Sequence, residues 1–355
     1  MYKIIICLIL FASFHASAKT DKWQFVDTKT NASFRGLSVV DDSVVWVSGS
    51  KGWVGKTKNG GRDWVWEQVK GYEQCDFRSL YAFNAMEAVI ANAGSPAYVL
   101  RTDDGGATWK KVYENKDTEA FIDGIDVADG QKGMLYGDPI NSHILLLRTY
   151  DGGRTWYEAP LKERPVMGKG EASFAASGTC IKYLDRKKVV IATGGSVSRL
   201  LLSKNNGKKW RSVATPILQG ESSMGIFSFL LIGSKYWIIA GGDYKQEAVR
   251  KANLFYTGNG GRNWISPRVT TRGYRECVVV ADDGVGKKGT ATLLAVGPTG
   301  IDISLDGGIN WMAFSDEKQY HVIKKARKGE LIIMAGGGGK VAVLKGTLHE
   351  VPRNH

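Results

Sequence analysis

An eight-residue pattern, Ser/Thr-x-Asp/Asn-x-Gly-x-x-Trp, occurs six times in this chain and constrains its fold more than any other feature. The copies are Thr57–Trp64, Thr102–Trp109, Thr149–Trp156, Ser203–Trp210, Thr257–Trp264 and Ser304–Trp311. A short Asp or Asn side chain accepts hydrogen bonds from backbone N–H groups of its own turn, and glycine takes the positive φ that closes the turn. The tryptophan then buries a large apolar face. We therefore expect six equivalent turns with a structural role.

The spacing of these turns predicts the architecture. The six tryptophans are 45, 47, 54, 54 and 47 residues apart, which is the length of a four-stranded propeller blade. Three short β-rich runs precede the first turn, and the same order recurs from Phe77, Phe121, Glu171, Ile226 and Tyr274. Each blade is therefore predicted to contain three strands, the turn, and a fourth outgoing strand.

A seventh unit follows the sixth turn and lacks the pattern. Residues 320–326, 330–335 and 340–344 supply three β-rich runs, while residues 20–26 resemble the second half of a repeat with its outgoing strand. A closed ring of blades leaves no free sheet edge. We therefore predict an all-β fold, a seven-bladed β-propeller whose last blade is closed by the N-terminal strand, and we expect residues 19–355 to form a single domain.

The start of the chain reads as a secretory signal. Lys3 precedes an apolar run from Ile4 to Phe14, and Ala16-Ser17-Ala18 offers a small-residue cleavage site. We therefore predict a signal peptide at residues 1–18. No cysteine follows the small residues, so a lipoprotein anchor is not indicated, and no later segment approaches the ~20 apolar residues of a transmembrane helix. The predicted location is periplasmic or extracellular, without a membrane span.

Charge and cysteine usage limit the partners. The net charge of +13 favours anionic partners, but the basic residues are spread along the chain without a basic and aromatic RNA-binding signature, so no nucleic acid is expected. Cys75, Cys180 and Cys277 remain after the signal and allow at most one disulfide, whose pairing stays open. No CxxC or Cys/His cluster occurs, so neither a metal nor a cofactor is predicted. We expect a monomer.

The residues that begin the innermost strand of each blade are expected to ring the mouth of the central channel, on the face opposite the six turns. Aligned blade by blade, the residues at or near this position are Arg35, Arg78, Asp123, Glu171, Ser228, Arg275 and His321. Neighbouring residues and the loops that follow second strands add Asp138, Arg199, Asp243, Tyr244 and Tyr274. Charge on an inner strand is costly unless it is paired or hydrated. We therefore predict a polar pocket at the channel mouth.

Such a pocket has two predicted uses. Arginine forks suit a carboxylate or sulfate, so the pocket is expected to bind an anionic small molecule, a glycan or a protein segment. Alternatively, two carboxylic acids across a sugar ring run glycoside hydrolysis, with Glu171 as the candidate acid and Asp138, Asp123 or Asp243 opposite. A third interpretation is that these charges only neutralise each other as salt bridges lining the channel.

The six turns carry the Asp-box, or BNR repeat, and the chain resembles families that contain it. Sialidases are similar in having Asp-boxes after an early Phe-Arg motif, here Phe34-Arg35, and in using three arginines on a carboxylate. The chain departs from them at Gly36-Leu37, where sialidases have Ile-Pro. Sialidases also have six blades, and their nucleophilic Tyr-Glu pair has no counterpart that can be placed. Sialidase activity is therefore not expected.

Over its whole length the chain resembles the seven-bladed photosystem II stability/assembly factor family and its exported bacterial homologues. The resemblance rests on the phrase Thr-x-Asp-Gly-Gly-x-Thr-Trp, on Glu171–Thr179 and on Gly241–Tyr244. It implies a binding or assembly role. Homologues of this kind are often called oxidoreductases or glycosyl hydrolases, but the chain has no dinucleotide fingerprint or haem motif. The boxes indicate the fold rather than the function, so whether the protein is an enzyme stays open.

Overall fold

The computed structural model describes residues 22–284, 291–346 and 348, and the predicted signal peptide at residues 1–18 lies outside them. Seven antiparallel sheets form the blades. From the innermost strand outward, the strands of the first three blades are Phe34–Val39, Val45–Gly49, Trp53–Thr57 and Val65–Gln68 in blade one; Ser79–Ala82, Ala88–Ala91, Ala97–Thr102 and Lys110–Asn115 in blade two; and Ile122–Val127, Gly133–Ile140, His143–Thr149 and Tyr157–Glu158 in blade three. The next two blades contain Ile181–Tyr183, Val189–Ala192, Arg199–Ser203 and Arg211–Ala214 in blade four, and Met224–Ile232, Tyr236–Asp243 and Leu254–Thr257 in blade five. The last two contain Cys277–Asp282, Thr292–Gly297, Gly300–Ser304 and Met312–Ser315 in blade six, and Tyr320–Lys325, Ile332–Gly336, Val341–Leu344 and Trp23–Phe25 in blade seven.

The N-terminal strand closes the ring, and the predicted seven-bladed propeller is confirmed. Trp23 pairs with Leu344 and Phe25 with Ala342 in antiparallel register. In blade five the outer position is held by Ile265, which exchanges two backbone hydrogen bonds of 2.9 and 2.8 Å with Tyr256. Leu161–Glu163 forms a short 3₁₀ helix after blade three.

The repeated turns join each third strand to the outgoing strand and brace neighbouring blades. In blade two the Thr102 hydroxyl accepts a hydrogen bond of 2.9 Å from the Gly106 N–H, and Asp104 Oδ1 accepts one of 2.9 Å from the Thr108 N–H. Hydrogen bonds from Thr108 lower the pKa of Asp104 to about 2. Arg101 donates to the carbonyl of Gly152 in the turn of the next blade, at 2.6 Å. The turns therefore hold the ring together as well as closing each sheet.

The hydrophobic core lies between adjacent blades. The buried ring of Trp46 in blade one meets Trp109 from the turn of blade two edge to face, at a centroid distance of 6.2 Å. Trp23, which is 1% exposed, packs in the same way against Phe314 of blade six at 6.2 Å. Each blade therefore buries aromatic rings against its neighbour, the arrangement that the repeated tryptophans predict.

Blade four departs from the sequence alignment. Glu171 does not begin its innermost strand, which starts ten residues later at Ile181. Glu171–Ala172 instead pairs with Gly194–Gly195, and Gly194 pairs with Gly225 at the edge of blade five. The spacing of 54 residues before the fourth tryptophan reflects this insertion. The inserted chain continues to Ala176, whose carbonyl accepts a hydrogen bond from Arg35 of blade one, and it shapes the site described below.

Cys75, Cys180 and Cys277 are all free thiols. None of the helical structure in the described ranges is long and apolar enough to cross a membrane.

Candidate binding site at the channel mouth

A cavity of about 1050 Å³ opens at the channel mouth where the innermost strands begin. Six of the predicted site residues line it, namely Arg35, Arg78, Asp138, Tyr244, Tyr274 and His321. Five others lie outside its lining, namely Asp123, Glu171, Arg199, Asp243 and Arg275.

β-Bulges explain which side chains reach the mouth. The register between the first two strands shifts between Phe34 and Gly36 in blade one and between Tyr320 and Val322 in blade seven. The residues inside these two shifts are Arg35 and His321. A bulged residue is left out of the ladder and its side chain is re-aimed, which turns Arg35 and His321 toward the cavity. The same shift in blades three and five falls at Asp123 and Phe227.

The equivalent position in all seven blades lies two residues before a buried core residue. Those core residues are Leu37, Leu80, Ile125, Ile181, Phe229, Val278 and Ile323. Counting back from them gives Arg35, Arg78, Asp123, Thr179, Phe227, Glu276 and His321. The blade-by-blade alignment of the sequence was therefore wrong at three positions. In blade four the insertion placed Glu171 outside the innermost strand. In blades five and six, Ser228 and Arg275 each lie one residue away from the equivalent position. The spacing to the core residue is the signal that finds Glu276.

Glu276 is the centre of a paired ionic network. Its Oε2 accepts a hydrogen bond of 2.5 Å from Arg35 Nη1, and its Oε1 lies 3.0 Å from His321 Nδ1. Burial acts to raise the pKa of Glu276, but Arg35 and His321 together hold that pKa below its usual value. The Ser177 hydroxyl donates to the Glu276 carbonyl at 2.8 Å. This carboxylate is ionised, and each of its oxygens already has a partner.

Arg275 lies behind the wall of the cavity, not in it. Its side chain is fully buried, and its Nε donates to Asp302 Oδ2 at 2.9 Å. Nη1 donates to the Tyr274 carbonyl at 2.7 Å and to Thr299 Oγ1 at 2.8 Å. Arg272 binds the other oxygen of Asp302 at 2.7 Å. The pair of arginines therefore fixes the loop that carries Tyr274.

Two of the candidate acids are also tied up away from the mouth. Glu171 is 2% exposed and forms a bidentate pair with Arg199, at 2.7 and 2.9 Å. It also accepts from the Thr193 hydroxyl and the Gly168 N–H, both at 2.8 Å. Asp243, which is 4% exposed, accepts from the Lys245 N–H at 2.8 Å and so caps a turn.

Asp138 and Asp123 occupy the blade-three side of the mouth. Asp138 lines the cavity, and its Oδ1 accepts a hydrogen bond of 3.0 Å from the Ser173 N–H. Burial raises its pKa. Asp123 lies beneath it with no exposed surface, and burial first and the Asp138 charge second raise the pKa of Asp123 well above its usual value, against the opposing effect of Arg78. Arg78 itself pairs with Asp76 at 2.7 Å.

The inserted segment of blade four, residues 172–177, crosses the mouth and supplies an aromatic wall. Phe174 stacks on Phe227 at a centroid distance of 3.8 Å, and Tyr274 meets Phe227 edge to face at 4.7 Å. Ala176 anchors the far end by accepting a hydrogen bond of 3.0 Å from Arg35. Tyr244 is 44% exposed beside the same wall. Sequence reasoning missed Phe174 and Phe227 because isolated aromatic residues are typical of any core.

Four cationic side chains line this cavity, and two of them, Arg35 and Arg78, already form ion pairs. Arg35, Arg78, Lys318 and Lys340 face three carboxyl groups, those of Asp138, Glu247 and Glu276. The Glu276 charge is already paired, and Lys318 and Glu247 are exposed at the rim. Lys340 donates to the Lys318 carbonyl at 3.0 Å, which brings the two lysines side by side. The site can therefore attract and bind an anionic group next to an apolar one.

Comparison with known proteins gives a family resemblance. Residues 15–117 match the model described as photosynthesis system II assembly factor YCF48. The chain is 25% identical over 141 residues to the "Photosystem II assembly lipoprotein Ycf48" of Synechococcus sp. (strain CC9902). That alignment covers 39% of this chain and 40% of the relative, so the match spans well under half of the relative's length.

Solved structures share the fold over much more of the chain. "YCF48 bound to D1 peptide" has a TM-score of 0.66 at 15% identity and covers 92% of this chain and 98% of its own. YCF48 from Cyanidioschyzon merolae has a TM-score of 0.65 at 16% identity, with 91% and 99% covered. The Niastella koreensis GH74 enzyme has a TM-score of 0.58 at 15% identity, with 90% and 44% covered. The chain thus resembles the YCF48 photosystem II assembly factors in the sequence of its N-terminal part and shares their propeller fold along most of its length.

Proposed function

We propose that this protein binds an extended protein segment at the channel mouth and that a carboxylate of that segment is held by the cations there. The observation that carries the proposal is the composition of the cavity, in which two arginines with unused N–H groups and two lysines lie beside an aromatic wall. At about 1050 Å³ the cavity is slightly larger than the ~300–1000 Å³ typical of small-ligand pockets.

The arginines retain donors for such a ligand. A guanidinium has five N–H donors in a planar fork. Arg78 uses Nε on Asp76, and Arg35 uses Nη1 on Glu276 and on the Ala176 carbonyl. Their remaining N–H groups are available to a carboxylate, with Lys318 and Lys340 adding attraction at the rim. An apolar side chain next to that carboxylate would pack on Phe174 and Tyr244.

The comparisons support a protein segment over the other anionic ligands. One structure that shares the fold is described as bound to a D1 peptide, and the curated relative is named an assembly lipoprotein. Both facts belong to those proteins. For this chain they favour a binding or assembly role outside the cytoplasm, with residues 1–18 as the signal peptide.

The positions of the acids favour binding over glycoside hydrolysis. Hydrolysis needs two carboxyl groups across the sugar, about 5 to 10 Å apart in an open pocket. Glu171 is buried against Arg199, Asp243 caps a turn, and Glu276 is paired with Arg35. Among the acids lining the cavity, a partner for Asp138 would have to be Glu247, which is exposed at the rim.

The proposal is tested with a library of random dodecapeptides that carry a free C-terminal carboxylate. The best binder is then synthesised with a C-terminal carboxylate or amide, and its affinity is measured by calorimetry. We expect the amide to bind at least tenfold more weakly and Arg78→Ala to remove most of this difference. A library without enrichment, or equal binding of both forms by the wild type, contradicts the proposal. Acidic oligosaccharides serve as a parallel ligand set, and a preference for them would favour the glycan alternative.

A further inference from the structure

A second cavity, of about 200 Å³, lies farther along the channel, toward the face that carries the repeated turns. The innermost strands run from the mouth toward that face, and three residues advance a strand by about 10 Å. In all seven blades the residue three positions after the one at the mouth lines this cavity. Five of these residues are polar or charged and two are apolar, namely Ser38, Tyr81, Asp126, Lys182 and Lys324, and Leu230 and Val279. The far end of the channel is therefore a polar site of its own.

Lys324 places a positive charge in this cavity without an acid to balance it. Its ammonium group has no hydrogen bond or ion pair within residues 22–284, 291–346 and 348, although the side chain is half-buried. The adjacent Lys325 differs, because it pairs with Glu330 at 2.7 Å. A charge removed from water is costly unless it is paired. Lys324 is thus a cation that gains from a bound counter-ion.

Arg327 brings a second cation to the same cavity. Its Nη1 donates to Ser38 Oγ at 2.9 Å, and its Nη2 donates to the Ala82 carbonyl. The guanidinium lies over the Tyr81 ring, 4.6 Å from the ring centroid. All three partners are neutral. Two of the five N–H groups are used in this way, and the others are available to a ligand.

Asp126 is the one acid among the described residues that line the cavity, and it already has partners. Its Oδ2 accepts a hydrogen bond of 2.7 Å from the Tyr183 N–H and lies 3.9 Å from Lys182 Nζ. Neither Lys324 nor Arg327 forms an ion pair with it. An ammonium group beside an arginine fork suits an oxyanion, whose oxygens accept from both. The cavity is smaller than the ~300–1000 Å³ of typical small-molecule pockets, which favours an inorganic ion.

We propose that Lys324 and Arg327, with Lys182 at the exposed end, bind a small divalent oxyanion, phosphate or sulfate, in the far end of the channel. The anion would balance the two unpaired cations and join blade seven to blade four across the channel. The two cavities share no lining residue, so the site does not depend on the proposed peptide binding.

Anion binding is linked to the protonation of Lys324. Burial lowers the pKa of Lys324 to about 8; the neighbouring cations add to this effect, while Cys277 and Asp126 oppose it. About nine-tenths of the amine is then protonated at pH 7 and about one-tenth at pH 9, whereas sulfate keeps its charge. Sulfate should therefore bind roughly tenfold more weakly at pH 9. The titratable and charged groups that face Lys324 are Tyr81 in blade two, Asp126 in blade three, Lys182 in blade four, Cys277 in blade six, and Lys325 and Arg327 in blade seven.

The test titrates the wild-type protein, Lys324→Met and Lys328→Met with sodium sulfate, while sodium gluconate holds the ionic strength constant. Methionine keeps an unbranched stem and removes the charge. Lys328 is exposed after the same strand and lies outside the cavity lining, so it is the matched control. At a hundredfold excess over Kd, sulfate should raise the wild-type Tm by about 4 °C. Calorimetry at pH 7 and pH 9 measures the affinity.

Lys324→Met should lose the rise in Tm, whereas Lys328→Met should keep it. In gluconate alone, Lys324→Met should melt no lower than the wild type, because it removes an unbalanced charge. Arg327→Gln should weaken sulfate binding about tenfold, the usual effect of losing a charged hydrogen bond. The absence of a saturable sulfate effect on the wild type would contradict the proposal. An equal effect in Lys324→Met, or a wild-type affinity that is the same at pH 7 and pH 9, would exclude Lys324 as the ligand.

Discussion

The two sides of the channel mouth differ in whether their buried carboxyl groups have hydrogen-bond partners. Toward blades one, six and seven, Glu276 is held between Arg35 and His321, and both of its oxygens have partners. Toward blade three, neither oxygen of Asp123 has one among the described residues. Burial is nearly complete on both sides, since Glu276 is 4% exposed and Asp123 is fully buried. The difference therefore lies in the partners and not in the exposure.

This contrast separates structure from binding capacity. A carboxylate with matched donors fixes the shape of the mouth but has nothing left to offer a ligand. A buried carboxyl group whose oxygens have no hydrogen-bond partner destabilises the folded protein instead.

The largest change in the free energy of unfolding is expected when the buried charge of Glu276 is removed. Glu276→Gln leaves Arg35 without its buried counter-charge, and breaking a buried ion pair by removing one partner costs about 3 kcal/mol. Glu247→Gln, an exposed acid on the same rim, should change the free energy of unfolding by less than about 0.5 kcal/mol. Urea denaturation measures both values. Equal effects would mean that the network around Glu276 is not structural.

The unpaired side should respond in the opposite direction. The folded-state pKa of Asp123 is raised, so between its unfolded and folded pKa values the unfolded chain is ionised and the folded one is protonated. Stability is therefore lost as pH rises through this window, by about 1.4 kcal/mol for each unit of pKa difference. Asp123→Asn should match the wild type near pH 4 and exceed it at pH 7. A variant that is less stable at pH 7 would indicate a partner for Asp123.

Glu276 should show the reverse pH dependence. Its folded pKa is lowered, because Arg35 and His321 outweigh burial, so its contribution is present above its unfolded pKa near 4.5. That contribution is lost as pH falls through the folded value. The stability difference between the wild type and Glu276→Gln should therefore shrink below about pH 4. A constant difference across the acid range would mean that packing, not charge, explains the first prediction.

The smallest effect is expected at the rim. Lys340→Met removes a partly exposed cation from the peptide side of the cavity, and rim charges change affinity modestly and mainly through the association rate. We expect a three- to fivefold loss of affinity for the carboxylate peptide at low salt, with little loss in high salt. Lys208→Met, on an exposed turn at the opposite face, is the matched control. An equally large loss of affinity in Lys208→Met would mean that the effect comes from the net charge of the protein and not from the position of Lys340.

The fold could be predicted from the sequence because its rules are local and repeated. A turn with fixed glycines, a tryptophan and a constant spacing needs no distant information, and even Trp23 as the closing strand followed from the count of strands. The side-chain partners could not be predicted in this way. Glu171 forms an ion pair with Arg199, and Arg275 forms one with Asp302. Only the folded structure brings these chain segments together.

The site was predictable to the extent that the blades share a register. Arg35, Arg78 and His321 keep the repeat spacing and line the cavity. The insertion in blade four and the one-residue shifts in blades five and six broke the alignment where no repeated residue marks the boundary. The stacking of Phe174 on Phe227 depends on that insertion lying along the edge of blade five. Such a contact has no signature in a single sequence.

The most direct test of the account is hydrogen–deuterium exchange of the mature protein with and without its best carboxylate peptide. Binding at the channel mouth should slow exchange at residues 172–177 and around Arg35, Arg78 and Lys340, while the six repeated turns at the opposite face are unchanged. Protection of those turns with an unchanged mouth would contradict the claim that the channel mouth is the binding site.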